Sequence, residues 1–285
     1  MKVSVIIPVY NRLEHLRAGF LCLLRQTVVP YELIITDDGS SEKIEDYIGD
    51  LISKAKFKIK HIYQQDKGFR KTRALNNAVK NSEGELLIFC DQDLIFPKDY
   101  VERMMKESKK GQFLLGRAQN TTFKEKEEIL KELEKQGTYK NIIKLVNKRY
   151  IEDMKNQYRI DKKRRILKRF YLSKRGIRLA GMSYSIFKED YLKVNGYDEK
   201  YQGWGYEDDD FGNRLIMLKI LGKEFRTKLI QLHLYHKVDS SKKKSLNEDY
   251  YYKRKKEIFK GKEIFCKFGI NNSLDDDQII IEKLK

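Results

Sequence analysis

The feature that most constrains this chain is an alternation. Over the first 116 residues, short apolar runs of strand character take turns with longer runs of helical periodicity. "KVSVIIPVY" reads as a buried strand, "RLEHLRAGFLCLLRQT" carries apolar residues at helical spacing, and "YELIITDDGS" is a strand ending in two acids and a turn. A helix ("SEKIEDYIGDLISKA"), a strand ("FKIKHIYQ"), a helix ("FRKTRALNNAVKNS") and a strand ("ELLIFCDQD") follow. "PKDYVERMMKESKK" is then a helix and "GQFLLGRAQ" a strand. Each helix carries the chain back to the same end of the sheet, so consecutive strands run parallel with right-handed crossovers. The expected class is α/β, with a Rossmann-like, mostly parallel central sheet flanked by helices. Ligands of such sheets bind beyond the C-terminal strand ends. Three of those ends carry marked residues: Tyr10-Asn11-Arg12, Asp37-Asp38-Gly39-Ser40 and Asp91-Gln92-Asp93.

Beyond the alternation the chain changes character. Residues 119–178 hold 19 basic against 8 acidic residues in amphipathic, helix-like runs, and read as a basic helical insertion on one side of the sheet. The chain therefore divides into a Rossmann-like half (1–118), the insertion (119–178), a second half of the same domain (179–240) and a C-terminal helical tail (241–285). The tail is expected to be helical around 246–259 and frayed after Asn271.

Composition narrows the function classes. With 40% hydrophobic residues the chain is long and apolar enough for a core. No apolar run reaches the roughly 18 residues of a bilayer span, and "MKVSVIIPVYNR" reads as a first strand rather than a signal peptide. Cys22, Cys90 and Cys266 form neither a disulfide framework nor a zinc spacing, so a cytoplasmic location is expected. The formal net charge of +18 admits nucleic acid, anionic lipid or a phosphorylated substrate as partners. Nucleic acid is disfavoured, because no nucleic-acid-binding motif appears and the acidic strand ends repel phosphates.

Two acidic groups carry chemistry. In "FCDQDL", Asp91 and Asp93 are two residues apart on a strand, so both side chains point into one site, and two close carboxylates call for a divalent cation. In "GWGYEDDDFGNRL", four consecutive acids open a helix, where free N–H groups and the helix dipole stabilise negative charge. That accounts for the acids. It leaves the only tryptophan, Trp204, and the flanking Gly203 and Gly205, which suit a backbone bent around an aromatic platform for a sugar ring.

These stretches, "VSVIIPVYNR", "LIITDDGS", "KGFRKTRALNNAV" and "GELLIFCDQD", resemble in order the family 2 glycosyltransferases, which have the GT-A fold. "AGMSYSIFKEDYLKVNGYDEKYQGWGYEDDDFGNRL" is similar to the C-terminal half of galactosyltransferases and bacterial chondroitin-type polymerases. The resemblance implies that Pro8, Tyr10 and Arg12 line the nucleotide pocket and that Arg73 faces the diphosphate. Asp91 sits near the ribose or a metal-bound water, Gln92 belongs to the donor nucleotide-binding set, and Asp93 ligates the metal. Of Asp37 and Asp38, one binds the uracil imide and the other forms the turn, with Asp37 favoured for the base. His236, in "LHLYHK", is implied as a further metal ligand, and His233 stands where a second is sometimes found. An offset of three in an extended segment puts these two rings on opposite faces, which favours one ligand over two. An imidazole among oxygen ligands tilts the ion from Mg2+ towards Mn2+. Asp208 is implied as the general base, Glu207 and Asp209 as acceptor binders, and Trp204 with Gly205 as the sugar platform.

The expected activity is metal-dependent, inverting transfer of Gal, GalNAc or GlcNAc from a UDP-sugar to a hydroxyl of a growing bacterial surface glycan or lipid-linked acceptor. The basic segments would hold the protein at an anionic membrane face. A non-catalytic nucleotide-sugar-binding protein is the alternative reading, and a nucleic-acid-binding protein a more remote one.

Overall fold

The computed structural model describes residues 1–135, 137–173, 175–225, 230–237 and 245–285. Four parallel strands form the heart of the sheet: β1 (Val3–Val9), β2 (Glu32–Asp37), β3 (Lys58–Gln64) and β4 (Leu86–Cys90). They are linked by α1 (Leu13–Leu24), α2 (Ile44–Ile52) and α3 (Lys71–Lys80). Strand alternation builds two cores. Val5, Ile7 and Val9 face the layer of α1 and α2, whereas Ile6 and Ile34 face α3 with Ala78 and Val79. Both faces are covered, which is why these strands read as near-continuous apolar runs.

The sheet grows to eight strands in the order β11-β3-β2-β1-β4-β8-β6-β9. β6 (Gln112–Leu115) follows α4 (Tyr100–Glu107), β8 (Ser183–Phe187) runs antiparallel between β4 and β6, and β9 (Leu221–Glu224) closes one edge. β11 (Ile279–Lys283) closes the other, antiparallel to β3. The tail is thus not frayed after Asn271. Its three consecutive isoleucines, Ile279–Ile281, supply the strand propensity that pairs with β3 and covers that edge.

"GQFLLGRAQ" is two strands rather than one. The chain leaves the large sheet at Gly116, where any side chain would strike Ser183. It then enters a second sheet of order β5-β10-β7, made of β5 (Leu94–Ile95), β10 (Gln231–His233) and β7 (Ala118–Asn120). Within 119–178 lie α5 (Phe123–Glu134), α6 (Tyr139–Lys144) and α7 (Arg149–Arg169), with α7 against β7 and β9. α5 is opened by a capping box between Thr122 and Glu125. After β8 come α8 (Lys188–Leu192), α9 (Glu207–Met217) and, in the tail, α10 (Glu248–Phe259). The expected extended run through 225–237 falls partly on residues 226–229, and the 240/241 boundary on 238–244, both outside the described residues. Among the described residues, no helix is long and apolar enough to cross a membrane.

Candidate functional site

The small sheet exists where strand β4 ends, and it assembles the first part of the site. β10 pairs antiparallel with β5, setting His233 opposite Leu94 and so beside Asp93. Leu234 N–H donates to the Asp93 carbonyl (2.8 Å), and Tyr235 N–H to Thr121 Oγ1 (3.0 Å). The chain therefore turns immediately past β10 and brings His236 round to the same carboxylate. The period-two expectation that the rings take opposite faces fails because the strand stops at His233. His233 Nε2 lies 3.1 Å from Asp93 Oδ1 and His236 Nε2 3.3 Å from Oδ2. Among the described residues, these three side chains each place a ligand atom within 4.8 Å of the other two.

This donor set fits a divalent cation. His236 Nδ1 lies 2.9 Å from the Lys237 carbonyl, to which it donates, so a neutral ring turns a bare Nε2 lone pair towards a carboxylate. Lone pair facing carboxylate is repulsive unless a cation stands between them or the ring is protonated. Asp93 Oδ1 is also buried without a well-aligned hydrogen bond. Burial would raise the Asp93 carboxyl, but the two imidazoles outweigh it and hold it well below the usual range. One oxygen and two nitrogen donors suit Mn2+ better than Mg2+.

The same cleft, of about 200 Å3, is lined by Pro8, Tyr10 and Arg12 from the β1 end and by Asp91, Gln92 and Asp93 from the β4 end. Asn11 and Arg12 sit at positive φ (50° and 54°), a tight turn held from behind. Gln92 does that holding: its side-chain oxygen accepts from Tyr10 N–H and its amide donates to the Asn11 carbonyl, each at 3.0 Å. Gln92 therefore shapes the loop that forms this wall of the cleft.

Two of the expected residues lie outside the cleft, and a neighbour of each lines it instead. Asp37 is turned inward, accepting from Gly39 and Ser40 N–H (3.1 and 2.7 Å) with His61 at 3.2 Å, and it does not line the cleft. Asp38 does line it. Asp38 accepts from Gln64 and from Arg70 N–H, both at 2.6 Å, and burial pushes its carboxyl up to about 6. Arg73 likewise faces away: its guanidinium donates to Gln64 (3.2 Å) and the Asp277 carbonyl (2.7 Å) beneath the tail. Lys71, two residues earlier and so on the other side of α3, lines the cleft and bonds Asp91 at 2.6 Å. Burial opposes the Lys71 charge, yet Asp91 and Asp208 outweigh it and raise its pKa.

The four acids of α9 part company. Asp208 lines the cleft and accepts from Gly181 N–H (2.8 Å) and Tyr197 OH (2.9 Å). Its pKa is raised, chiefly by burial, with Lys71 pulling it back. Glu207 also lines the cleft; burial and the adjacent Asp208 push it up to about 7, and its Oε2 is buried without a partner. Asp209 points elsewhere, bound by Arg175 and Tyr251 OH, so it is not free to hold an acceptor hydroxyl in this cleft. Asp210 is structural, pairing with Arg214 (2.7 Å) and Arg254 (2.9 Å) in the core. Trp204 stands half-exposed at the mouth, while Gly205, at φ 108°, lines an adjoining hollow with Tyr206 and Ser245.

Sequence reasoning missed Lys71, Tyr197 and Gly181. For Lys71 a signal was present: a lysine in the first turn of a helix opposes the helix dipole and needs local acids to justify it. Nothing in the local sequence marks Tyr197 or Gly181 as neighbours of Asp208.

With the geometry in place, similarity to known proteins can be set beside it. The family described as glycosyl transferase family 2 matches residues 4–174, which includes most of the insertion, and the N-terminal domain of galactosyltransferase matches 164–237. Validoxylamine A glucosyltransferase of Streptomyces hygroscopicus subsp. limoneus is 26% identical over 223 residues, 75% of this chain and 47% of that protein. Chondroitin synthase of Escherichia coli is 26% identical over 234 residues, 75% of this chain and 32% of that protein. The chain thus spans half or less of these curated relatives. Among solved structures, S. aureus TarS 1-349 in complex with UDP-GlcNAc has a TM-score of 0.56 at 15% identity, covering 89% of this chain and 64% of that one. A mannosyltransferase from Pyrobaculum calidifontis in complex with GDP-Man and Mn2+ has a TM-score of 0.52 at 13% identity, covering 81% and 56%. These structural likenesses establish the GT-A fold.

Proposed function

The chain belongs to glycosyl transferase family 2, and from that membership we propose that it moves a hexose or N-acetylhexosamine from a UDP-sugar to a glycan hydroxyl, with inversion and with a divalent ion, Mn2+ before Mg2+. One observation carries the reading: a single cleft is lined at once by Asp93, His233 and His236 and by Asp208. The TarS complex with UDP-GlcNAc and the mannosyltransferase complex with GDP-Man and Mn2+ are consistent with such a donor and ion.

Asp93, His233 and His236 would hold the ion, which supplies charge neutralisation to the oxygens of a departing diphosphate. Tyr10 offers a face for the base and Asp38 an acceptor for its imide N–H. Lys71, kept cationic by its acids, adds positive charge on the leaving-group side. Asp208 takes the proton of the acceptor hydroxyl as its oxygen bonds to the anomeric carbon. The bond from that carbon to the diphosphate breaks on the opposite face, and its electron pair leaves with UDP. One base suffices for this single displacement. Two donors, Gly181 N–H and Tyr197 OH, fix its direction and favour the ionised form. A surface glycan or lipid-linked acceptor at the cytoplasmic membrane face completes the reading. It is supported by the basic 119–178 segment and by the exposed Phe170, Tyr171 and Leu172 at the end of α7.

The test is a screen of UDP-sugars with Mn2+, reading released UDP. Asp93→Ala is expected to abolish release, and Asp208→Asn to suppress transfer while UDP still binds. Loss of both transfer and UDP binding in Asp208→Asn would make that acid structural. Sedimentation with anionic vesicles tests the membrane contact; equal recovery in the supernatant with and without them removes it.

A further inference from the structure

Asp208 borders three spaces: the donor cleft, the hollow beside Gly205 and Ser245, and a larger cavity. The larger cavity, of about 460 Å3, has walls that include Arg117, Arg164, Arg178 and Lys255 together with Tyr206, Tyr251 and a second carboxylate, Asp209. The four cations in that wall outnumber its two carboxylates, Asp208 and Asp209. Arg117 and Arg164 share one carboxylate, Asp161, at 3.0 and 3.4 Å. Arg175, behind the wall, binds Asp209, and its Nε and Nη1 find no acceptor among the described residues. Among the described residues no carboxylate lies within ion-pair distance of Arg178 or Lys255. The Lys255 ammonium instead sits 5.2 Å over the Tyr251 ring, and burial, then Arg175, lower its pKa, with Arg178 adding to the fall and Asp209 offsetting part of it. Cations gathered this closely repel one another, and a merely solvated face would spread them apart.

The floor is aromatic. Tyr206 stacks on Tyr251 with centroids 4.5 Å apart and planes within 17°, and it holds a left-handed backbone (φ 73°) unusual for a tyrosine. A flat aromatic wall beneath cations that make no direct ion pair among the described residues, Arg178 and Lys255, matches a sugar ring bearing negative charge.

We propose that this cavity is an acceptor subsite for an acidic glycan: it takes an anionic group, a carboxylate or a phosphate ester, on the sugar next to the one whose hydroxyl meets Asp208. The inference rests on the reading of Asp208 given above. Arg178 and Lys255 supply the charge, Arg117 and Arg164 the surrounding field, and the tyrosines the stacking surface.

The experiment measures binding, not turnover. Three dye-labelled disaccharides identical except at one carbon, carrying a hydroxymethyl, a carboxylate or a phosphate ester, are titrated with the full chain by fluorescence polarisation. At least one anionic probe is expected to bind about tenfold more tightly than the neutral one, as two partly desolvated ion pairs allow. That preference should shrink as salt rises from roughly 50 to 300 mM. R178Q/K255Q should bring the probes to within about twofold, and R178K with Lys255 intact should retain most of the preference. Which anionic probe binds tighter identifies carboxylate or phosphate. Equal binding of all three to the unaltered chain, or a preference that survives in R178Q/K255Q, overturns the proposal. If the anion preference holds while no UDP-sugar releases UDP, the donor reading fails and the anion site stands; the reverse pattern removes the anion site alone.

Discussion

Replacing Gly181 by Ala tests the position of Asp208 without touching its chemistry. A Cβ built on Gly181 lies 2.5 Å from Asp208 Oδ1 and 2.9 Å from its carboxyl carbon. Ordinary contact begins near 3.4 Å, so the carboxylate must retreat by about 0.9 Å. It cannot do so freely, because Gly181 N–H and Tyr197 OH hold it at 2.8 and 2.9 Å. A general base misplaced by ~1 Å costs about a hundredfold in rate, or ~2.7 kcal/mol of barrier. The assay is transfer turnover at saturating UDP-sugar and acceptor, with UDP binding and melting temperature measured in parallel. Gly181→Ala is expected to lose about a hundredfold in turnover while UDP binds normally. Should the variant fold poorly, Tyr197→Phe removes one of the two anchors without touching the backbone and should lower turnover in the same sense. Gly181→Ala turnover within about threefold of the original, with an unchanged fold, would refute the claim that this carboxylate must sit where it does.

Further outcomes follow from the same contacts. As the proposed base, Asp208 must be ionised to act, and burial raises its pKa, so kcat/KM should rise with pH through an ionisation above the ordinary aspartate range. Tyr197→Phe, lacking a donor to the ionised form, should move that limb higher; an unmoved limb contradicts the assignment. Glu207, at about 7 against an ordinary 4.5, binds its proton more tightly folded than unfolded. Stability is therefore lost as pH rises from about 4.5 to about 7, and Glu207→Gln should equal the original chain near pH 4 and exceed it by about 3 kcal/mol near pH 8. A melting difference independent of pH would argue against this. Mn2+ with UDP at about 100 times Kd should raise the melting temperature by about 5 °C, and Asp93→Ala should abolish the shift.

Most of the fold was legible because periodicity holds inside an element. Strands β1 to β4 and their helices follow from apolar spacing. Asp91 and Asp93 do reach one cleft, but in the turn beyond β4, where Gln92 between them lines it too, so strand parity is not what places them. What was not legible lies one residue beyond an element's end, where periodicity lapses. Asp37 closes β2 and turns inward, so the next residue, Asp38, faces the cleft. β10 stops at His233, so His236 swings back to the same carboxylate. Lys71 rather than Arg73 meets the cleft because it opens α3, whereas Arg73 lies on the face that the tail covers. That covering depends on Asp275 and Asp277 holding Arg70 at 2.6 and 2.9 Å, contacts some 200 residues apart in sequence that no local pattern reveals. Asp209 is one step round α9 from Asp208, and that step delivers it to Arg175 instead of the cleft.

The proposed transfer requires that a divalent ion and a donor diphosphate meet beside Asp208. Anomalous scattering at the manganese edge, from crystals grown with Mn2+ and UDP, tests it most directly. The expected result is a single strong peak among Asp93, His233 and His236, with the diphosphate lying between that peak and Lys71 and the cleft open towards Asp208. A peak elsewhere, or a diphosphate seated away from Asp208, would contradict it.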